Sequence, residues 1–120
     1  MKKQVNFWFF TSKNISEISK KFSNAFDSII LDTDYENVYE WSQQMLGDIY
    51  VNISRNHTKA RKYSPVLIFF QDYSFEDEQT KSFGTKLHKE FQAHVYHGNY
   101  VLQDNDELLL EVIETYGNSE

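Results

Sequence analysis

Five consecutive apolar residues, Val66-Leu67-Ile68-Phe69-Phe70, are entered through Pro65, the only proline, and left through Gln71-Asp72. No other stretch constrains this 120-residue chain as much. A run this short, bounded by breakers and rich in β-branched and aromatic residues, predicts a strand buried on both faces. Proline at the entrance is tolerated because its missing N–H falls at the strand's end. The rest of the chain must supply neighbouring strands and covering layers.

Gln4 to Thr11 places Val5, Phe7 and Phe9 on one face and Asn6, Trp8 and Phe10 on the other, which predicts a second interior strand beside 66–70. A helix over 14–28 follows, with Asn14 as N-cap, Glu17 at the third position, and a stripe of Ile15, Ile18, Phe22, Ala25, Phe26 and Ile29. Residues 35–44 alternate β-formers with polar residues and favour a strand. The stretch 34–46 also fits a helix capped by Asp34 and stopped at Gly47. Ile49, Val51 and Ile53 alternate with Tyr50 and Asn52 in a firmer strand over 48–54, joined to the preceding one by a turn at Leu46-Gly47.

After the central strand, Ser74 is the expected cap of a helix over 75–91. Its first turn is acidic and its stripe is Phe75, Phe83, Leu87 and Phe91. Gly84 within it predicts a close approach to another backbone. Residues 93–102 look like a short hairpin turning at His97-Gly98-Asn99, and Leu109, Val112, Ile113 and Tyr116 share one face of a terminal helix. The fold class expected is α+β. One domain, 1–120, holds a mainly antiparallel sheet of five to six strands (4–11, 35–44, 48–54, 66–71 and the 93–102 hairpin), two packed helices and a C-terminal helix.

Charge is unevenly spread. Residues 1–71 carry nine Lys/Arg and seven Asp/Glu, whereas 72–120 carry three and eleven. Residues 27–48 hold Asp27, Asp32, Asp34, Glu36, Glu40 and Asp48 and no base. Such a surface repels nucleic acid phosphates and attracts basic proteins. The chain has no cysteine, which excludes disulfides, thiolate metal sites and cysteine nucleophiles. Lys2 and Lys3 ahead of Val5 to Phe10 imitate a secretion signal. The apolar run is broken at Asn6 and lacks a small-residue cleavage site, so it reads as a strand and the expected location is the cytoplasm. No segment has the ~20 apolar residues of a membrane span, so no membrane contact is expected.

Phosphate-cradling and nucleophile-elbow motifs are absent, and no cofactor is expected. Asp32, Asp34 and Glu36 match the first ligands of a calcium loop. The match fails at Asn37, where the turn glycine belongs, and at Gln43, where the bidentate glutamate belongs. His94 and His97 point to opposite faces of a strand and make no metal pair, so no metal site is expected. The Phe7-Trp8-Phe9-Phe10 run resembles a base-stacking platform, but the acidic balance opposes nucleic acid binding, and core packing accounts for it. Arg55 and His57 sit at alternate positions of a strand end and form an alternative site, a phosphate clamp with a general acid or base for a small phosphate-ester enzyme.

The strongest constellation is Asp32, Asp34, Tyr35, Glu36, Tyr39, Glu40 and Trp41, where carboxylates surround the residue types that dominate binding hot spots. The competing reading turns Tyr35, Tyr39 and Trp41 into the core and leaves the acids as solvated surface. In general character the chain resembles the small acidic immunity proteins of bacterial toxin–immunity systems, including contact-dependent growth inhibition. The features that carry the resemblance are one compact α/β domain, no cysteine or export signal, no catalytic motif, and the acidic, aromatic strip from Asp32 to Trp41. No residue motif carries over. The resemblance implies a bacterial, cytoplasmic, non-enzymatic inhibitor whose partner is the basic C-terminal domain of a cognate toxin, such as a nuclease. A structural subunit of a larger assembly is the third expectation.

Overall fold

A computed structural model describes residues 5–36, 39–56, 64–71, 76–102 and 108–117. In chain order these form β1 (Val5–Phe9), α1 (Ile15–Phe26), β2 (Ile29–Glu36), β3 (Tyr39–Leu46), β4 (Ile49–Asn56), β5 (Val66–Gln71), α2 (Asp77–Phe91), β6 (Val95–Leu102) and β7 (Leu108–Tyr116). The class is α+β, with one seven-stranded antiparallel sheet in the order β2-β3-β4-β5-β1-β6-β7. The apolar run 66–70 is the middle strand. β1 pairs with it from Val5↔Phe70 to Phe9↔Val66, as the two-sided apolar pattern of both segments requires.

Both helices cover the same face of the sheet. The pairings make β1 parallel to β2, and β5 parallel to β6, so α1 and α2 are crossover connections. The crossovers start from oppositely directed strands and move in opposite lateral directions, so one shared hand places both helices on one side. Phe26 of α1 stacks on Phe83 of α2 at 5.0 Å between ring centroids. Beneath them Phe7, Phe9, Ile53, Val66, Ile68 and Phe70 form the sheet's contribution to the core. Asn14 Oδ1 accepts the Glu17 N–H at 2.8 Å, as the capping pattern predicts. At the start of α2, Gln79 Oε1 accepts the Glu76 N–H at 3.1 Å. The cap of α2 is Glu76 rather than Ser74, so the helix starts two residues later than expected; Ser74 and Phe75 lie outside the described residues.

The structure corrects the expected architecture at several points, beginning with seven strands where five to six were expected. The first helix stops at Phe26, because Asp27 turns left-handed (φ 57°) and its N–H bonds to the Ser23 carbonyl. Ile29, assigned to the helical stripe, instead opens β2, a strand missing from the expected set. The expected strand 35–44 is divided: Tyr35 and Glu36 end β2, and β3, a strand rather than the alternative helix, runs from Tyr39 to Leu46. Its turn to β4 is Gly47-Asp48, one residue later than expected, with Gly47 at φ 61°. Residues 95–102 are one continuous strand, not a hairpin. A Cβ at Gly98 would lie 2.0 Å from the Glu111 carbonyl oxygen and 3.0 Å from Trp8 Cη2, so this glycine serves a close approach beside a register shift rather than a turn.

The expected terminal helix is β7. It pairs along all of β6, which gives one side of its backbone a ladder, and Val112, Ile113 and Thr115 are β-branched. Gly84 does mark a close approach, although to a ring rather than a backbone: a Cβ there would meet Tyr116 Cδ2 at 2.3 Å. Among the described residues no helix is long and apolar enough to cross a membrane.

Candidate functional site

The β2–β3 pairing decides which residues of the acidic, aromatic strip meet. Its register sets Asp32 opposite Gln43, Asp34 opposite Trp41, Tyr35 opposite Glu40 and Glu36 opposite Tyr39. Side chains alternate between faces along a strand. Asp32, Asp34, Tyr39 and Trp41 therefore share the face turned away from the helices. Glu36 holds a register position on that face. Asp32 and Asp34 are exposed, and Tyr39 and Trp41 are half-buried. Tyr35 belongs to the opposite face, yet it keeps 72% of its surface in solvent because β2 is a sheet edge.

Glu40 is not part of this surface. It lies on the helix side, buried, with Oε1 2.6 Å from Arg55 Nη2 and 3.2 Å from Arg55 Nε. The rest of the Arg55 guanidinium is also committed: Nη1 donates to the Thr11 carbonyl at 3.1 Å and Nη2 to the Lys13 carbonyl at 2.9 Å. Arg55 has no solvent-exposed surface, so it ties the β1–α1 connection to β3 and β4 and offers no fork to a phosphate ester. His57, its partner in the alternative site, lies outside the described residues.

Beside the ion pair, β3 continues its buried polar underside. Ser42 Oγ meets Ser19 Oγ at 2.7 Å. Gln44 Nε2 donates to the Ser19 carbonyl at 3.0 Å, and Gln44 Oε1 accepts from Ser28 Oγ. These contacts fix α1 against β3 in one register, since a slip would strand several buried polar groups.

On the open face, sequence reasoning missed a polar chain that braces the strip. Asn52 Nδ2 donates to Tyr50 Oη at 3.2 Å, Tyr50 Oη donates to Gln43 Oε1 at 2.8 Å, and Gln43 Nε2 donates to Asp32 Oδ1 at 2.9 Å. The chain crosses three strands and holds Asp32 in place. The alternation of Tyr50 and Asn52 against Ile49, Val51 and Ile53 already marked their face; only the bond to Gln43 was hidden. Further along the same face Trp8 is 1% exposed, stacked on Tyr96 at 6.1 Å and edge-on to Tyr100 at 6.3 Å. Burial pushes the Tyr100 phenol up to about 12. The open face thus has a closed aromatic half on β1 and β6 and a more accessible, acidic half on β2 and β3.

The two histidines weighed as metal ligands diverge. The His97 ring packs on Phe7 at 5.4 Å, and the His94 ring faces His88 at 6.4 Å. Phe7 and Phe9 are core residues and Trp8 is covered, so the aromatic run of β1 is not a stacking platform. No family model matches the chain, and no curated protein or solved structure matches it.

Proposed function

We propose that the chain is an inhibitor that binds a basic protein and occludes its substrate site, as an immunity protein neutralises a toxin nuclease. The observation that carries this reading is the β2–β3 register, which sets exposed Asp34 directly opposite half-buried Trp41. Neither lysine nor arginine occurs anywhere from 27 to 48. Carboxylates at Asp32 and Asp34 stand where substrate phosphates would approach a cationic active site, while Tyr39 and Trp41 supply apolar contact area. Charge of one sign also steers a basic partner into encounter.

The test pairs the chain with the C-terminal domain of a large secreted protein encoded immediately upstream. The expected result is inhibition of that domain's nuclease activity that weakens as salt rises, and its loss in the Asp32→Lys/Asp34→Lys variant. Undiminished inhibition by the double variant overturns the reading, and a neighbouring frame of any other kind counts against it.

The β7 edge favours a second reading, a subunit of a larger assembly. Leu109, Val112 and Ile113 are 59%, 50% and 57% exposed there. A concentration-dependent dimer in sedimentation, lost on Val112→Lys, is the outcome that would support it.

A further inference from the structure

Strand β2 forms one edge of the sheet, paired among the described residues only with β3. Alternate residues of an edge strand turn their N–H and C=O groups away from the sheet, where another strand can pair with them. The Tyr35 N–H shows which residues these are: it donates at 2.8 Å to the side-chain Oδ1 of its neighbour Asp34. By the two-residue period, Thr33 shares that outward direction. The edge also leaves apolar side chains in water, with Ile29 69% and Leu31 56% exposed.

We infer that β2 receives an extended, cationic segment of the partner as an eighth strand. The inference rests on the inhibitor reading and specifies how its surface is used. Charge selects the occupant. A second copy paired β2 to β2 would gather two sets of Asp32 and Asp34 on one face of the combined sheet, which like-charge repulsion opposes. A segment with arginine or lysine at alternate positions sets its cations beside Asp32 and Asp34 on the open face. Its backbone bonds to the outward groups of Thr33 and Tyr35, displacing the Asp34 carboxylate from the Tyr35 N–H. The register shift between Ile30 and Asp32 divides the edge, so aliphatic residues of the segment fall beside Ile29 and Leu31 and basic ones beyond. Main-chain bonds supply affinity in this mode, and the alternate side chains supply selectivity.

The probe is a synthetic peptide as long as the eight residues of β2, with arginine at alternate positions and valine and isoleucine at one end. Binding to the full chain is followed by calorimetry and by amide exchange. We expect slowed exchange at Thr33 and Tyr35. Two N-methylated peptides, blocked at odd or at even amides, are expected to differ: one binds like the parent and the other at least about tenfold more weakly, from the loss of two or three backbone bonds. Thr33→Pro, which removes an outward N–H and keeps every carboxylate, is expected to reproduce that loss.

Equal binding by both methylated peptides overturns strand addition and leaves the inhibitor reading standing, because charge alone then accounts for the affinity. Parent binding that survives Asp32→Lys/Asp34→Lys overturns both. A dimer of the chain that Thr33→Pro dissociates overturns the inference in favour of a second copy at this edge. The methylated pair gives its answer on the unmodified protein, so the conclusion does not depend on Thr33→Pro folding.

Discussion

On the helix side of β3, Glu40, Ser42 and Gln44 are all buried, whereas on its other side Tyr39, Trp41 and Gln43 keep part of their surface in solvent. The usual placement is reversed: polar residues lie inside and aromatics lie toward water. Glu40 and Asp34 sharpen the contrast, since both are carboxylates of the same hairpin. Glu40 spends its charge on Arg55 at 2.6 Å, whereas Asp34, among the described residues, accepts a local edge N–H at a solvent-facing position. The first acid holds the fold together, and the second lies exposed at the sheet edge.

The largest effect is expected where the buried ion pair is broken. Glu40→Ala leaves the Arg55 guanidinium buried without its counter-charge and costs about 3–5 kcal/mol in urea unfolding. The alternative enzyme reading expects Arg55→Ala to abolish activity on a folded protein. The burial and four hydrogen bonds of Arg55 predict that the same variant loses stability first. A fully folded Glu40→Ala protein would break the comparison between the two carboxylates.

Next in size is the pH response of the open face's aromatic half. The Tyr100 phenol is held near 12 in the folded chain against 10.0 when unperturbed. An acid with a raised folded value stays protonated in the native state after the unfolded chain has lost its proton. Its stabilising contribution is therefore complete below pH 10, declines above it, and is gone once pH has passed 12. The stability difference between the native chain and Tyr100→Phe should change by ~2–3 kcal/mol across that window, measured as denaturation midpoints at each pH. A difference that stays constant would mean the Trp8–Tyr100 half is as open as the strip.

A somewhat smaller loss is expected from the polar underside itself. Gln44→Ala deprives the Ser28 hydroxyl and the Ser19 carbonyl of their partner and costs about 1–3 kcal/mol, read from the same unfolding curves. Truncation of Gln43, on the exposed side one residue away, should cost less than half as much, because water replaces its bonds to Asp32 and Tyr50.

This reversal also explains which parts of the fold were legible. The 66–70 run, the 5–9 neighbour and both helices announce themselves because apolar residues recur at the period of the structure they form. β3 carries buried polar residues on one face, so its pattern is compatible with a helix as well as a strand until the partners Ser19, Ser28 and Arg55 are in place. β7 misled more completely. Leu109, Val112, Ile113 and Tyr116 have helical spacing by coincidence, and only the edge of β6 and the notch at Gly84 make them a strand. Local pattern cannot report an edge that another segment creates. The acidic strip was legible as composition; the removal of Glu40 and the bracing of Asp32 by Gln43 were not, because both depend on β4.

The smallest effect on stability is expected at the exposed acids, and it separates the two carboxylates most cleanly. Asp32→Lys/Asp34→Lys gives up one side-chain bond from Gln43 and one from the Tyr35 N–H, both at exposed positions where water substitutes. The predicted change in unfolding free energy is within about 0.5 kcal/mol of zero. Reversal also relieves repulsion among the six acids of 27–48, which offsets part of the lost bonding. Association with a basic partner should nonetheless collapse, since each reversal replaces attraction by repulsion at the point of contact. A variant that unfolds like the native chain but no longer binds would show that the strip's carboxylates are dispensable to the fold. A variant that destabilises as Glu40→Ala does would show instead that Asp32 and Asp34 are structural, and would remove the ground for the proposed partner-binding role of the open face.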